Sequence, residues 1–350
     1  MSKIPLRIEQ LDTVLYNSNL NPMGIPESVK KVLGDNLDSI IRYPSDYYGE
    51  LKKSISAYTG VSEENLILST GLSDMLRLYC SLTIPQKAMI LSPTATEYEK
   101  VLSIYGCEVS YYELDEQKDY VLDVKDFVSK LDSSYDMIIL GNPNNPTSQI
   151  IERHDMEFIA EVCKELDIFL IIDEMYIEFT EDYENLTSIP LVKEFEHVAV
   201  LRSVSKFFAV PGLRLAYSVV SNPSHLEMIS VTAIPNNIST LTAAACTAMF
   251  KDKKYIEASR SQIHTERNLI YSAMTTNKNI KLYKPYANYM LVKILKDGLT
   301  AQEIEEHCRT KGIIIRNCSN FHGLDNKYIR FCFMKPKQND LLVNTILELL

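Results

Sequence analysis

With 350 residues, 46% of them apolar, the chain is long enough to bury one large core and a smaller one beside it. Its formal net charge of −10 gives an average field that repels nucleic acid and anionic membranes, so neither is an expected partner. MSKIPLRIEQ at the start has no apolar signal-type run, and no stretch approaches the roughly 18 apolar residues of a membrane span, so a cytoplasmic enzyme or binding protein is expected.

In chain order, NPMGIPESVKKVL predicts a short helix entered through Pro and Gly. NLILST (65–70) then GLSDMLRLYCSL (71–82) reads as strand, glycine turn, helix. AMILSP (88–93) is a strand, EYEKVLSIYG (97–106) a helix and CEVSYYEL a strand. DMIILGNP (136–143) is a strand running into a Pro/Asn loop, and MEFIAEVCKEL (156–166) a helix with apolar positions at helical spacing. IFLIIDE (168–174) and HVAVLRSV (197–204) are buried strands. This alternation predicts an α/β fold, a large domain whose mostly parallel sheet is flanked by helices. From about residue 240 the pattern becomes LTAAACTAMF and KYIEASRSQIHTERNLIYSAMTT as helices, NYMLVKI, IIIRNCS and YIRFCFM as strands, and AQEIEEHCRTKG and NDLLVNTILELL as helices. That is a smaller α+β domain. The expected division is 36–240 for the large domain, with 1–35 and 241–350 together forming the small one.

Seven cysteines, odd in number and without a C-x-x-C pair, suit free thiols in a reducing cytosol. The six histidines are scattered, so no metal site is expected.

Chemistry-bearing residues gather where such a sheet places its ligand, at the carboxyl ends of strands. They are GNPNNPTS (141–148), Asp173 with Tyr176 after IFLIID, Lys206 in RSVSKFF, and Gly71 to Asp74 at a strand-to-helix turn. Singly, each has an ordinary explanation as a turn, a helix cap or a solvated lysine; together they point to a site.

The ordered set GNPNNPTS, DExY and SxSKxxxxxGLR resembles the fold type I pyridoxal-phosphate enzymes of aminotransferase class I/II. NSNLNPMG, RYPSDYY (42–48), LRSVSKFFAVPGLRLAY (201–217), YANYMLV (286–292) and IIIRNCSNFHGLDNKYIR (313–330) are similar to the branch holding histidinol-phosphate aminotransferase and threonine-phosphate decarboxylase. The resemblance implies pyridoxal 5'-phosphate as cofactor, with Lys206 forming the Schiff base and moving protons at the substrate Cα. Asp173 would face the pyridine nitrogen, and Asn145 and Tyr176 the phenolic oxygen. The cofactor phosphate would rest on the amides of Leu72 and Ser73 at a helix start, with Ser203, Ser205 and Arg214 completing the cup. Tyr43 would reach that phosphate from the partner of a homodimer. Arg330 would take the α-carboxylate of a small amino acid substrate, Arg316 a distal anion or the same carboxylate, and Asn19 the substrate side.

Three departures accompany the resemblance. Ala95 stands where the family has a ring-stacking aromatic, with Tyr98 three residues on as a substitute; Ser148 replaces the glycine of NPTG, a mild change at a turn; and the 350 residues do not contain the His-Gly-Gly element of threonine-phosphate decarboxylases. The implied activity is amino transfer on a small or phosphate-bearing L-amino acid, with decarboxylation as the alternative and a silent protein on the same fold as a third.

Overall fold

The computed structural model describes residues 13–45, 48–232 and 234–350. Its central sheet has seven strands: β2 (Leu66–Ser69), β3 (Lys87–Ser92), β4 (Glu108–Glu113), β5 (Met137–Gly141), β6 (Phe169–Asp173), β7 (Val198–Ser203) and β8 (Ala216–Val219). They lie in the order β2-β8-β7-β6-β5-β3-β4, and only β8 runs against the rest. Every residue of β5, β6 and β7 is buried, because helices cover both faces. Alternate side chains serve the two sides: Ile139, Ile171 and Ala199 meet the helices Leu72–Thr83 and Thr96–Ile104, while Ile138, Leu170 and Val198 share a core with the helix Arg153–Glu165. The predicted parallel sheet is therefore present. The reversed β8 was not legible, being four residues that follow the PGLR turn without a pattern of their own.

The chain grows outward from β3 to β4 and then returns to the other side of β3 with β5, β6 and β7. That reversal opens a crevice between the ends of β3 and β5. Its two rims are tied together: Asn144 Nδ2 donates to the Pro93 carbonyl (2.9 Å) and Thr94 Oγ1 to Asn144 Oδ1 (2.7 Å).

A second sheet, antiparallel, holds β9 (Ile280–Leu282), β10 (Tyr289–Ile294), β12 (Arg316–Asn317) and β13 (Tyr328–Cys332), in the order β12-β13-β10-β9. The stretch IIIRNCS, expected as one strand, is two. Its first part, β11 (Ile313–Ile314), pairs in parallel with β1 (Val14–Leu15), and after Ile315 the chain changes partner to β13. Beyond β1 the N-terminal segment crosses to the first sheet, where Asn21 N donates to the Lys206 carbonyl (3.1 Å).

Ser148 is more than a mild change at a turn. It is fully buried with a left-handed φ of +63°, and its hydroxyl accepts from Tyr286 N (3.0 Å) and Ala287 N (2.8 Å). The serine thus fastens the large-sheet loop to the segment entering β10. Ser148→Ala keeps the strained backbone and orphans a buried amide, which costs about 1–3 kcal/mol. Ser148→Gly loses the same bonds but recovers roughly 1–2 kcal/mol of backbone strain. Thermal unfolding should therefore rank wild type above Gly and Gly above Ala; an alanine variant at least as stable as the glycine variant would refute this account.

Candidate active site

The strand ends deliver the predicted groups to one place. The loop after β5 carries Asn145, β6 ends on Asp173, β7 ends on Ser203, and Lys206 follows in the short helix Val204–Phe207. Leu72, Ser73, Asn145, Asp173, Tyr176, Ser203, Ser205, Lys206 and Arg214 all line one cavity of about 290 Å³, together with Ala95, Glu97, Tyr98 and Met175. A larger depression of about 620 Å³ lies across Ser73 and Arg214, lined also by Arg77, Asn237 and Ile238. It lacks Lys206 and Asp173 and is the wider but chemically poorer space.

Lys206 Nζ donates to the Ser18 carbonyl (2.7 Å). Burial, reinforced by the nearby Arg330 and Arg214 guanidinium groups, brings its pKa down to about 8 from 10.5. Asp173 moves the other way: burial pushes it up to about 6, against the opposing hydrogen bonds from Tyr98 and the Met175 amide. Tyr98 Oη donates to Asp173 Oδ2 (2.7 Å) and Met175 N to Asp173 Oδ1 (2.9 Å). Tyr98 is thus a partner of the carboxylate, its hydroxyl committed there, and the space beside Ala95 belongs to the cavity.

At the opposite end, the helix Leu72–Thr83 begins after Gly71, whose φ is +126°. A Cβ at Gly71 would come within 2.3 Å of Arg214 Nη2, so only glycine lets that guanidinium lie over the helix start. Ser203 Oγ lies 2.9 Å from Ser205 Oγ and 3.2 Å from the Leu215 carbonyl. The amides of the helix start, the two serine hydroxyls and the Arg214 guanidinium make an anion cup. Glu97 enters its edge, accepting from Ser73 Oγ (2.5 Å).

The N-terminal segment and the second sheet close the cavity from the other side. Asn19 is buried and donates to Tyr176 Oη (3.3 Å), while its own Oδ1 has no partner among the described residues. Arg330 reaches Asn145 Oδ1 and the Asn17 carbonyl (2.7 Å), and its Nε has no partner among the described residues. Arg316 sits directly opposite Arg330 across the β12–β13 pair and bonds Asn320 Oδ1 (2.6 Å). Like charges facing each other across strands repel, and the partners found for both arginines are neutral. Tyr43 stands outside the cavity, 86% exposed, and contributes nothing to it within this chain.

Two supports escaped the sequence reading. Asn21 donates to the Phe207 carbonyl and to Ser259 Oγ (2.7 Å each), holding the Lys206 segment from behind. Glu174 and Arg202, both fully buried, pair at 2.7 Å on the opposite sheet face, next to Asp173 and Ser203. Neither had a distinguishing signal, since an Asn before Pro and a charge beside a strand end are common.

The comparisons agree with this fold. The model for "Aminotransferase class I and II" matches residues 12–346. Threonine-phosphate decarboxylase of Salmonella typhimurium is 32% identical, covering 96% of this chain and 90% of its own. The solved histidinol-phosphate aminotransferase from Clostridium acetobutylicum superposes with a TM-score of 0.89 at 29% identity, over 96% of this chain and 98% of that one. Histidinol-phosphate aminotransferase from Sinorhizobium meliloti, solved with pyridoxal-5'-phosphate, has the same fold at 19% identity and a TM-score of 0.85, over 97% and 92% of the two chains. The chain belongs to the aminotransferase class I and II family, whose members are pyridoxal-phosphate-dependent enzymes.

Proposed function

We propose that the cavity holds pyridoxal 5'-phosphate and that the protein transfers the amino group of a small, phosphate-bearing L-amino acid. The observation that carries this reading is the pairing of Arg330 with Arg316 beside the Lys206 cavity, two neighbouring cations with no carboxylate bound to them among the described residues. A substrate with an α-carboxylate and a distal phosphate would satisfy both. The residues fit the cofactor: the Gly71–Arg214 cradle and Ser203 and Ser205 suit its phosphate, and Asp173 its ring nitrogen. Bound there, the cofactor would supply an electron-withdrawing ring that stabilises negative charge at the substrate Cα. Asn145, with its oxygen taken by Arg330, keeps its amide protons for the phenolic oxygen, and Tyr176, accepting from Asn19, keeps its hydroxyl proton for the same atom. Lys206, easily made neutral, would carry the cofactor and then take the Cα proton.

In this reading residues 36–240 form the cofactor domain and 1–35 with 241–350 the substrate domain of a cytoplasmic enzyme. No helix among the described residues is long and apolar enough to cross a membrane. Leu37, Ile40, Ile41 and Tyr43 form an exposed, largely apolar stretch suited to a second copy, which would bring Tyr43 to the partner's phosphate cup.

Tyr98→Phe tests the acid end. Without that hydroxyl the Asp173 pKa should rise further. Cofactor binding needs the carboxylate ionised, so affinity falls as pH drops through the Asp173 pKa. The variant should lose affinity at a higher pH than wild type does, read by titrating the apoprotein with pyridoxal phosphate from pH 5 to 8. Coincident profiles would show that Tyr98 does not govern Asp173.

Decarboxylation of the same kind of substrate is the second reading, favoured by the likeness to the Salmonella decarboxylase. Product analysis separates the two. The protein is incubated with phosphoamino acids plus 2-oxoglutarate, and in parallel with threonine phosphate or serine phosphate alone. Glutamate is expected; stoichiometric carbon dioxide and amine without glutamate under any condition would establish the decarboxylase instead.

A further inference from the structure

We infer that His322 is a positioning residue for Arg316, fixing that arginine relative to the cofactor cavity by docking its loop onto the large sheet; this rests on the proposed role of Arg316 in binding substrate. The loop 318–324 is tight, with Phe321 N donating to the Cys318 carbonyl (3.0 Å) and Leu324 N to the Phe321 carbonyl (3.1 Å). Its inner side clasps Arg316, through Asn320 Oδ1 at 2.6 Å and the Phe321 ring, whose centre is 5.3 Å from the guanidinium carbon. The next two residues face the other way. The His322 ring stacks on Tyr111 of β4, centroids 3.9 Å apart and planes within 3°. His322 Nδ1 lies 2.9 Å from Ser92 Oγ and 3.4 Å from Glu113 Oε1. Ser92 gives its one hydroxyl proton to Glu113 Oε2 (2.7 Å), so His322 Nδ1 must be the donor to Ser92. Gly323 has a φ of +78°, and a Cβ there would come within 2.5 Å of Ser92 Oγ. The loop therefore approaches Ser92 as closely as a backbone can.

This contact adds a second anchor to a short pairing. Strand β12 has two residues, paired to β13 at Arg316 and Asn317, and the pairing ends where Cys318 N donates to the Tyr328 carbonyl (2.9 Å). Ser92, by contrast, is fully buried at the end of β3, three residues before Ala95 in the cavity wall. The path from cavity wall to Ser92, His322, the loop and Arg316 fixes the distance between cofactor and distal anion. It would thereby set the length of substrate that reaches both.

The test is a double-mutant cycle on the holoenzyme with His322→Ala, Arg316→Ala and the pair, using L-threonine O-3-phosphate and L-serine O-phosphate as probes. His322 and Glu113 are more than half exposed, so the substitution leaves the core intact. His322→Ala should raise KM about tenfold with kcat nearly unchanged, and should add nothing in the Arg316→Ala background. His322→Asn, whose amide replaces the Nδ1 donor, should recover part of the loss. An unchanged KM in His322→Ala, or effects that add in the double variant, would overturn the inference. If Arg316→Ala itself changes nothing, the substrate role of Arg316 falls instead. Amide exchange then decides the positioning: His322→Ala should speed exchange across 316–324 about tenfold and not elsewhere, and unchanged exchange there would overturn it.

Discussion

Lys206→Ala is expected to abolish turnover and covalent attachment of pyridoxal phosphate while leaving the fold and a non-covalent cofactor site in place. The side chain makes one hydrogen bond, to the Ser18 carbonyl, so its loss costs little structure. Arg214, Ser203 and Ser205 remain to hold the phosphate. What disappears is an amine that burial and two guanidinium groups have brought down to about 8. At pH 7 about a tenth of such an amine is neutral and nucleophilic, against well under a thousandth of an ordinary lysine. In the wild type, attachment should accordingly quicken with rising pH and level off above about 8. Borohydride reduction followed by peptide mass analysis reads the linkage directly. A reducible linkage surviving in the variant would remove Lys206 from its role.

The legible part of this protein was the part governed by local rules. Continuous apolar runs such as MIILG and FLIID can sit only in a sheet covered on both faces, and their ends marked where Asn145, Asp173 and Lys206 would meet. What stayed illegible depends on partners distant in sequence. Tyr98 reads as a substitute for the stacking aromatic missing at Ala95, and only the fold shows its hydroxyl bound to Asp173, 75 residues away. IIIRNCS carries a uniform strand pattern, yet its halves join different sheets, the first beside β1 and the second beside β13. Ser148 looked like a tolerated turn residue, because neither its left-handed backbone nor the amides it serves 138 residues later leave a local trace.

Asp173→Asn separates function from stability at a single atom. Asp173 accepts from Met175 N through one oxygen and from Tyr98 through the other. An asparagine can turn its carbonyl to Met175 and its amide to the Tyr98 oxygen, so the packing survives. The charge does not, and with it goes the group that would keep the ring nitrogen protonated. Removing a preorganised electrostatic partner of this kind costs roughly 2.7–4 kcal/mol, or about 100- to 1000-fold in turnover. Stability should respond in the opposite sense. Burial raises the Asp173 pKa from 3.8 to about 6, so the folded apoprotein binds a proton more tightly than the unfolded chain. Its stability is then eroded as pH rises between those values, and the loss persists above about 6. The neutral asparagine carries no such penalty. The apo variant should melt no lower than wild-type apoprotein at pH 7, with any advantage fading below pH 4. Adding pyridoxal phosphate should reverse the order, because only the carboxylate gains from a cationic ring. Turnover within a few-fold of wild type would contradict the role of Asp173 as the partner of the ring nitrogen. An apo variant that melts well below wild type at pH 7 would show that the buried charge is held more favourably than its surroundings imply.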